Sequence, residues 1–274
     1  MAPTVVFFGS FQAYSVQVLA KLAKNFTVTA VITTPPAPKG RHLELTPTEV
    51  AIYSKTHNIP LFELDTLNEI PTIDRPDFLV VAGYGKLIPP SWLDWPKVLP
   101  VNMHPSLVPA YRGRCPAEWA ILHGEAVTGV TLIKMTPDFD RGPILAQSPL
   151  PVDPADTRLT LYTKLYALGA DLLVTTLPKL AAGEVQPLPQ PNTNTFYARQ
   201  ITREDGFVPW VEFNQLLKTG DQKINRLHRA LASWPGVWTT DPSNRRVKLL
   251  SLNPPVIQPE GKSSQPWLGG SSPA

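Results

Sequence analysis

The stretch Thr4–Ser10, TVVFFGS, constrains this chain more than any other. A short apolar, β-branched run that ends in glycine has no polar face to turn to water. It predicts a strand covered on both sides, as parallel sheets require. The next segment, SVQVLAKLAKN, repeats its apolar residues at helical spacing, and FTVTAVITT is a second apolar strand. Parallel neighbours need a crossover, and the intervening helix supplies one, so the chain opens with a βαβ unit. A proline-rich loop (Pro35–Leu45) and a helix from Thr46 to His57 follow. Strands are then expected in IPLFEL, PDFLVVAGYG and LPVNMH, a helix in AEWAILHGE, and a strand pair in VTLIKM and GPILAQSPL. The helix TRLTLYTKLYALGADLLVTTLPKLAAGE is broken near its last turn by Pro178. The expected class is α/β, a doubly wound, mainly parallel sheet over residues 1–184.

The texture changes beyond residue 184. VQPLPQPNTNTFYARQ is rich in proline and asparagine and reads as a linker over 185–200. A helix in INRLHRALASWPG and a strand in RRVKLLSL give a smaller second domain over 201–256, with Trp234 and Trp238 expected in its core. Residues 257–274, low in complexity, read as a disordered tail. The 32 prolines lie among apolar segments, which suits stiff loops better than a disordered chain. The balance of charge is −1 over residues 1–198 and +4 over 199–274, so an anionic partner fits the second domain. Cys115 is the single cysteine, which excludes an internal disulfide and a cysteine-based zinc site. With no signal peptide and no apolar run of membrane-spanning length, a soluble cytoplasmic monomer is the simplest expectation.

Ligands of doubly wound sheets sit beyond the carboxyl ends of the strands. The first loop, FFGSFQAYS, has one glycine where a dinucleotide fingerprint needs three, which argues against a Rossmann dehydrogenase despite the βαβ opening. There is no phosphate loop, no Gly-x-Ser-x-Gly elbow and no pair of histidines at metal spacing, and no metal is expected. Polar chemistry instead gathers in PVNMHPSLVPAYRGRCPAEWAIL. Asn102 and His104 stand two residues apart on one strand and share a face. An amide and an imidazole so placed both donate hydrogen bonds to an oxygen on which charge develops. A carboxylate must hold the histidine's tautomer, and Asp140 in MTPDFDRGPIL is the leading candidate, with Asp138 as its competitor. Gly142 lets that loop fold back tightly. On its own, a histidine near a strand end is more often a hydrogen-bonded structural residue.

The order and local sequence of NMHPSLVPAYRG, TGVTLIKM and DFDRGPIL resemble the folate-dependent formyltransferases up to about residue 252. The resemblance implies that Asn102, His104 and Asp140 occupy the catalytic positions, where the first two stabilise a tetrahedral oxyanion and Asp140 orients His104 and moves protons. It implies that Ser106, Leu107, Val108 and Pro109, with Tyr84, Lys86 and Leu87, bind the co-substrate 10-formyltetrahydrofolate. Val108 replaces a usual leucine and Pro105 a common glycine, and neither change removes a reacting group.

The Thr33–Val50 segment resembles the inserted loop of those members that formylate initiator methionyl-tRNA. Lys39 and Arg41 match its basic positions, and cations on such a loop suit phosphate contacts. RALASWPGVWTT resembles the opening of a C-terminal β-barrel-like domain, which is expected here in abbreviated form. The implied activity is formyl transfer to the amino group of initiator methionyl-tRNA in translation initiation. A sugar-nucleotide N-formyltransferase and a non-catalytic tRNA- or folate-binding relative are the alternatives.

Overall fold

A computed structural model describes residues 3–40, 43–193 and 195–269. In chain order the elements begin β1 (Thr4–Phe8), α1 (Gln12–Asn25), β2 (Thr27–Thr33), β3 (Ala37–Lys39), β4 (Glu44–Thr46), α2 (Glu49–Thr56), β5 (Leu61–Glu63) and β6 (Phe78–Val81). Next come α3 (Pro90–Leu93), β7 (Leu99–His104), β8 (Arg112–Gly113), α4 (Pro116–His123), β9 (Val127–Lys134), β10 (Ile144–Pro151) and α5 (Arg158–Ala181). The chain continues through β11 (Tyr197–Ala198), a short 3₁₀ turn, α6 (Trp210–Thr219), α7 (Gln222–Ala230), β12 (Val237–Thr240), β13 (Arg246–Leu252), β14 (Pro255–Pro259) and β15 (Gln265–Pro266).

Two compact units interleave along the sequence. The first comprises 1–113, 129–150 and 162–197, and the second 114–128, 151–161 and 198–274. A single cut between residues 184 and 201 misses this, because α4 follows β7 in sequence yet packs on α7.

The first unit is built on a seven-stranded sheet in the order β10-β9-β7-β6-β1-β2-β5. Strands β5, β2, β1, β6 and β7 run parallel and β9 is antiparallel to β7, so the sheet is mainly parallel as expected. Val5–Phe8 and Phe78–Val81 are buried along their whole length, which is the price of a sheet covered on both faces. Helix α1 buries Ser15, Val18, Leu19 and Leu22, one stripe at helical spacing. One core cluster collects Val6, Phe8, Ile32, Leu79, Tyr84 and Trp92, and the Trp92 indole donates to the Leu67 carbonyl at 2.9 Å. Helix α2 starts later than expected, at Glu49, because the Thr48 hydroxyl accepts from the Ala51 amide and caps it.

The segment expected as a proline-rich loop is a hairpin, with β3 antiparallel to β4 and Lys39 opposite Glu44. Its strands are three residues long and exposed, so no apolar alternation marked them in the sequence.

The second unit holds the antiparallel sheet β12-β13-β14-β15, packed on α6 and α7. Its core gathers Val208, Phe213, Ile224, Val237, Val247 and Ile257. The small C-terminal domain expected in abbreviated form is, among the described residues, a four-stranded antiparallel sheet. The expected disordered tail is corrected, over 257–269. Ile257 pairs with Leu249 and is buried, while Trp267 packs on the core and donates to Asn214 Oδ1 at 2.9 Å. Burying a large apolar side chain such as Ile257 contributes roughly 1.5–3 kcal/mol, and the pairing of β14 with β13 adds to it. Residues 270–274 lie outside the described residues. Trp234, expected in the core, is exposed, whereas Trp238 packs at a tilt against Phe207 and lies under Arg203.

Candidate active site

Strand β7 lies between β6 and β9, with Asn102 opposite Val81 and Ile133, and His104 opposite Thr131. Its last residues reach the carboxyl end of the parallel sheet, where doubly wound folds bind ligands. Asn102 is half-buried and His104 buried. The Asp140 side chain, buried on the loop between β9 and β10, comes to both. Asn102 Nδ2 donates to Asp140 Oδ1 at 3.2 Å, and His104 Nδ1 stands 3.7 Å from Asp140 Oδ2. Asp138, the competing carboxylate, is exposed and engages the Thr136 hydroxyl through its own carbonyl.

The loop reaches this position through two backbone features. Asp140 itself takes left-handed backbone (φ 54°), which turns the chain toward β7. Gly142 then passes so close to β9 that an added Cβ would lie 1.8 Å from the Lys134 carbonyl oxygen. Glycine is therefore required at 142 for close approach, and the unusual dihedral belongs to Asp140.

His104 is oriented chiefly by an atom the sequence did not suggest. Its Nε2 lies 2.9 Å from the Tyr111 carbonyl oxygen. A carbonyl only accepts, so Nε2 carries the proton and Nδ1 faces Asp140. The Gly113 amide donates to Asp140 Oδ2 at 3.0 Å, so both carboxylate oxygens have fixed partners.

Three side chains that the sequence reading passed over complete the frame. Thr131 donates to the Ser106 carbonyl at 2.7 Å and accepts from the Val108 amide at 3.2 Å. Gln147 donates to the Val108 carbonyl and to the Thr131 hydroxyl. Gln190, in the segment read as a linker, donates to the carbonyls of Asp140 (2.9 Å) and Gly142 (2.7 Å). The start of that segment is thus tied to the site, and the bridge between Leu188 and Ile144 anchors it further. The signal for Thr131 was its place in TGVT. For Gln190 there was none, because its surroundings are proline and asparagine.

Ser106 and Val108 are buried in this frame, with Leu107 and Pro109 half-buried beside them. The Ser106 hydroxyl donates to the Ala110 carbonyl. Leu107 packs where a Cβ on Gly129 would stand, 2.6 Å from Leu107 Cδ2. Tyr84, Lys86 and Leu87 follow the neighbouring strand β6. Tyr84 is buried edge-on against Phe8, and its hydroxyl has no hydrogen-bond partner among the described residues. Burial, with Asp65 adding repulsion, pushes its ionisation up to about 12, so the hydroxyl keeps its proton. Lys86 is paired with Asp65, and Leu87 is exposed. Lys39 pairs with Glu49 at 3.6 Å and takes no part in the Asp140 network, while Arg41 lies outside the described residues.

Among the described residues, no group of three or more His, Cys, Asp or Glu side chains is arranged to hold a metal, and no helix is long and apolar enough to cross a membrane. The buried Cys115 thiol is pushed up to about 11, by burial first and Glu118 second. A neutral buried thiol is a poor nucleophile.

Residues 4–177 match the formyl transferase family. The chain is 36% identical over 241 residues to a methionyl-tRNA formyltransferase of Chloroflexus aurantiacus, covering 86% of this chain and 75% of that protein. Its fold is similar to that of HypX from Aquifex aeolicus in complex with tetrahydrofolic acid (TM-score 0.64, 18% identity), covering 92% of this chain and 38% of that one. It is also similar to an N-formyltransferase from Helicobacter canadensis in complex with folinic acid and dTDP-3-aminofucose (TM-score 0.63, 18% identity), covering 91% and 88%. Likeness at these identities speaks for the fold alone. By the family match and the sequence relative together, the chain belongs to the formyl transferase family, among its methionyl-tRNA formyltransferases.

Proposed function

We propose that this protein transfers a formyl group from 10-formyltetrahydrofolate to the amino group of initiator methionyl-tRNA, and that Asn102, His104 and Asp140 carry the reaction. The observation behind this assignment of roles is the meeting of amide, ring and carboxylate at one strand end, at 3.2 and 3.7 Å.

Bound here, the folate supplies an activated one-carbon unit. Ser106–Pro109 with Tyr84, Lys86 and Leu87 are the residues proposed to hold it. The chain fits such a ligand in one specific respect: the buried Tyr84 hydroxyl has no partner among the described residues, and a buried donor left unpaired costs about 1–3 kcal/mol. A heteroatom of the ligand removes that cost.

The remaining chemistry belongs to the chain. The Asn102 amide spends one N–H on Asp140 and keeps a second to donate to the formyl oxygen as charge builds there. His104 Nδ1 is the ring atom free of the backbone, so it is the one that exchanges a proton with the reacting groups. A proton must leave the attacking amine, and another must reach the folate nitrogen as the old C–N bond breaks. Asp140, held by Asn102 and Gly113, is the nearby base for that relay, directly or through one water.

The test supplies 10-formyltetrahydrofolate with methionyl-tRNA or with an aminosugar nucleotide and follows folate release. Turnover on methionyl-tRNA is expected. Turnover on the sugar alone overturns the substrate assignment, and silence with both overturns the activity.

A further inference from the structure

A second polar site adjoins the Asp140 loop. A cavity of about 500 Å³ is lined by Arg112, Arg141, Gln190, Asn192, Thr193 and Thr195, together with Pro191. Arg141 is the residue after Asp140, and Arg112 precedes Gly113, whose amide holds the Asp140 carboxylate. Gln190 organises the wall. Its Oε1 accepts from Arg112 Nε (2.9 Å) and Nη2 (2.6 Å), while its Nε2 donates to the Asp140 and Gly142 carbonyls. One side chain thus fixes a guanidinium relative to the loop that carries the carboxylate.

Among the described residues this cavity is lined by two guanidinium groups and no carboxylate. Neither arginine forms a salt bridge among the described residues, and the Asp140 carboxylate, which attracts Arg112, is hydrogen-bonded to Asn102 and Gly113. Burial first and the like charge of Arg141 second push the Arg112 ionisation down, against the opposing attraction of Asp140. Two guanidinium groups beside amides and hydroxyls suit an oxyanion that accepts several hydrogen bonds.

We propose that this cavity binds a phosphodiester of the amine-bearing substrate, the one nearest the aminoacylated terminal ribose. The inference rests on the methionyl-tRNA reading above and adds a subsite to it. The terminal phosphodiester is the first anion beyond the ester that carries the amine, so it must lie within one nucleotide of the reacting carbon. A cavity one residue from Asp140 meets that demand. A carboxylate of the folate is the other oxyanion present in the reaction. It is disfavoured because none of Ser106–Pro109, Tyr84, Lys86 or Leu87, the residues proposed to hold the folate, lines this cavity.

The experiment measures initial rates for wild type and Arg141→Gln, an exposed position where loss of fold is not expected, with each substrate varied in turn and over a salt series. The expected result is a rise of roughly tenfold in KM for methionyl-tRNA and a salt slope reduced by about one contact. KM for 10-formyltetrahydrofolate stays the same. A second arm uses an acceptor mimic whose terminal phosphodiester is replaced by a neutral methylphosphonate. Wild type should lose affinity for it by a similar factor, and Arg141→Gln should lose little more. A rise confined to the folate KM would move the oxyanion to the folate and overturn the proposal. An active wild type with an indifferent Arg141→Gln would overturn it while leaving the main function intact. A wild type inactive on methionyl-tRNA would instead overturn the substrate reading on which it rests.

Discussion

The Asp140 loop and the Ala37–Thr46 hairpin are both connections of the sheet-bearing unit, and they are built in opposite ways. The loop is over-determined: Asn102 and Gly113 hold its carboxylate, Gln190 holds its carbonyls, and Gly142 lets it press against β9. The hairpin exposes nearly everything it has. Leu43 and Leu45 are 70% and 72% exposed, and Lys39 keeps half its surface in water beside Glu49. Chemistry at a single carbon needs donors fixed to fractions of an ångström. A contact with a long polyanion needs charge at the surface and tolerates an open ribbon.

If the contrast is right, substitutions in the two regions should fail differently. The largest effect is expected for Asn102→Ala, a fall of about 10²–10³ in turnover with the fold retained, as for loss of one oxyanion donor. Near-normal turnover would remove the loop's claim to be the reacting region. Gln190→Leu leaves the reacting groups in place but frees the loop. Turnover should drop by up to about 10²-fold while KM for tRNA moves less, since misplacement by about 1 Å costs that much. Gly142→Ala should destabilise the protein by about 1–3 kcal/mol, read as a lowered midpoint in urea, because the methyl group meets the Lys134 carbonyl. Lys39→Ala, in the hairpin, should raise KM for methionyl-tRNA a few-fold and reduce the salt slope by about one, with turnover and folate KM unchanged. Any loss of turnover there would erase the distinction.

The smallest effect is expected for Tyr84→Phe. Removing the unpartnered buried hydroxyl should leave turnover near normal and raise stability by about 1 kcal/mol, the low end of its burial cost, and a raised folate KM would identify the hydroxyl as a ligand donor. The sign of its titration gives a further check. Its folded-state ionisation lies at about 12, above the ordinary value of about 10. The stability it contributes is therefore present below about pH 10 and lost as pH rises through 12. Acid should leave it untouched.

Much of the fold was legible because burial leaves a pattern in sequence. Val5–Phe8 and Phe78–Val81 are apolar throughout since both their faces are covered, and α1 shows one stripe since only one face is. Asn102 and His104 were legible because a strand puts every second residue on one side. Gln190 and Trp267 were not. Each sits among prolines, glycines or small polar residues, and each acquires its role from a partner far off in the chain: Asp140 and Gly142 for one, Asn214 for the other.

The sequence by itself determined the alternation of strands and helices, and the presence of an amide, an imidazole and a carboxylate able to work on a carbonyl. Which atoms meet was decided by the tertiary structure. The nitrogen of His104 that faces Asp140 follows from the Tyr111 carbonyl behind it, and the position of Asp140 follows from a glutamine fifty residues later. The reason is physical. Burial acts on each residue where it stands and writes a local period, whereas a hydrogen bond between distant segments depends on sheet register and loop closure, which no local period encodes.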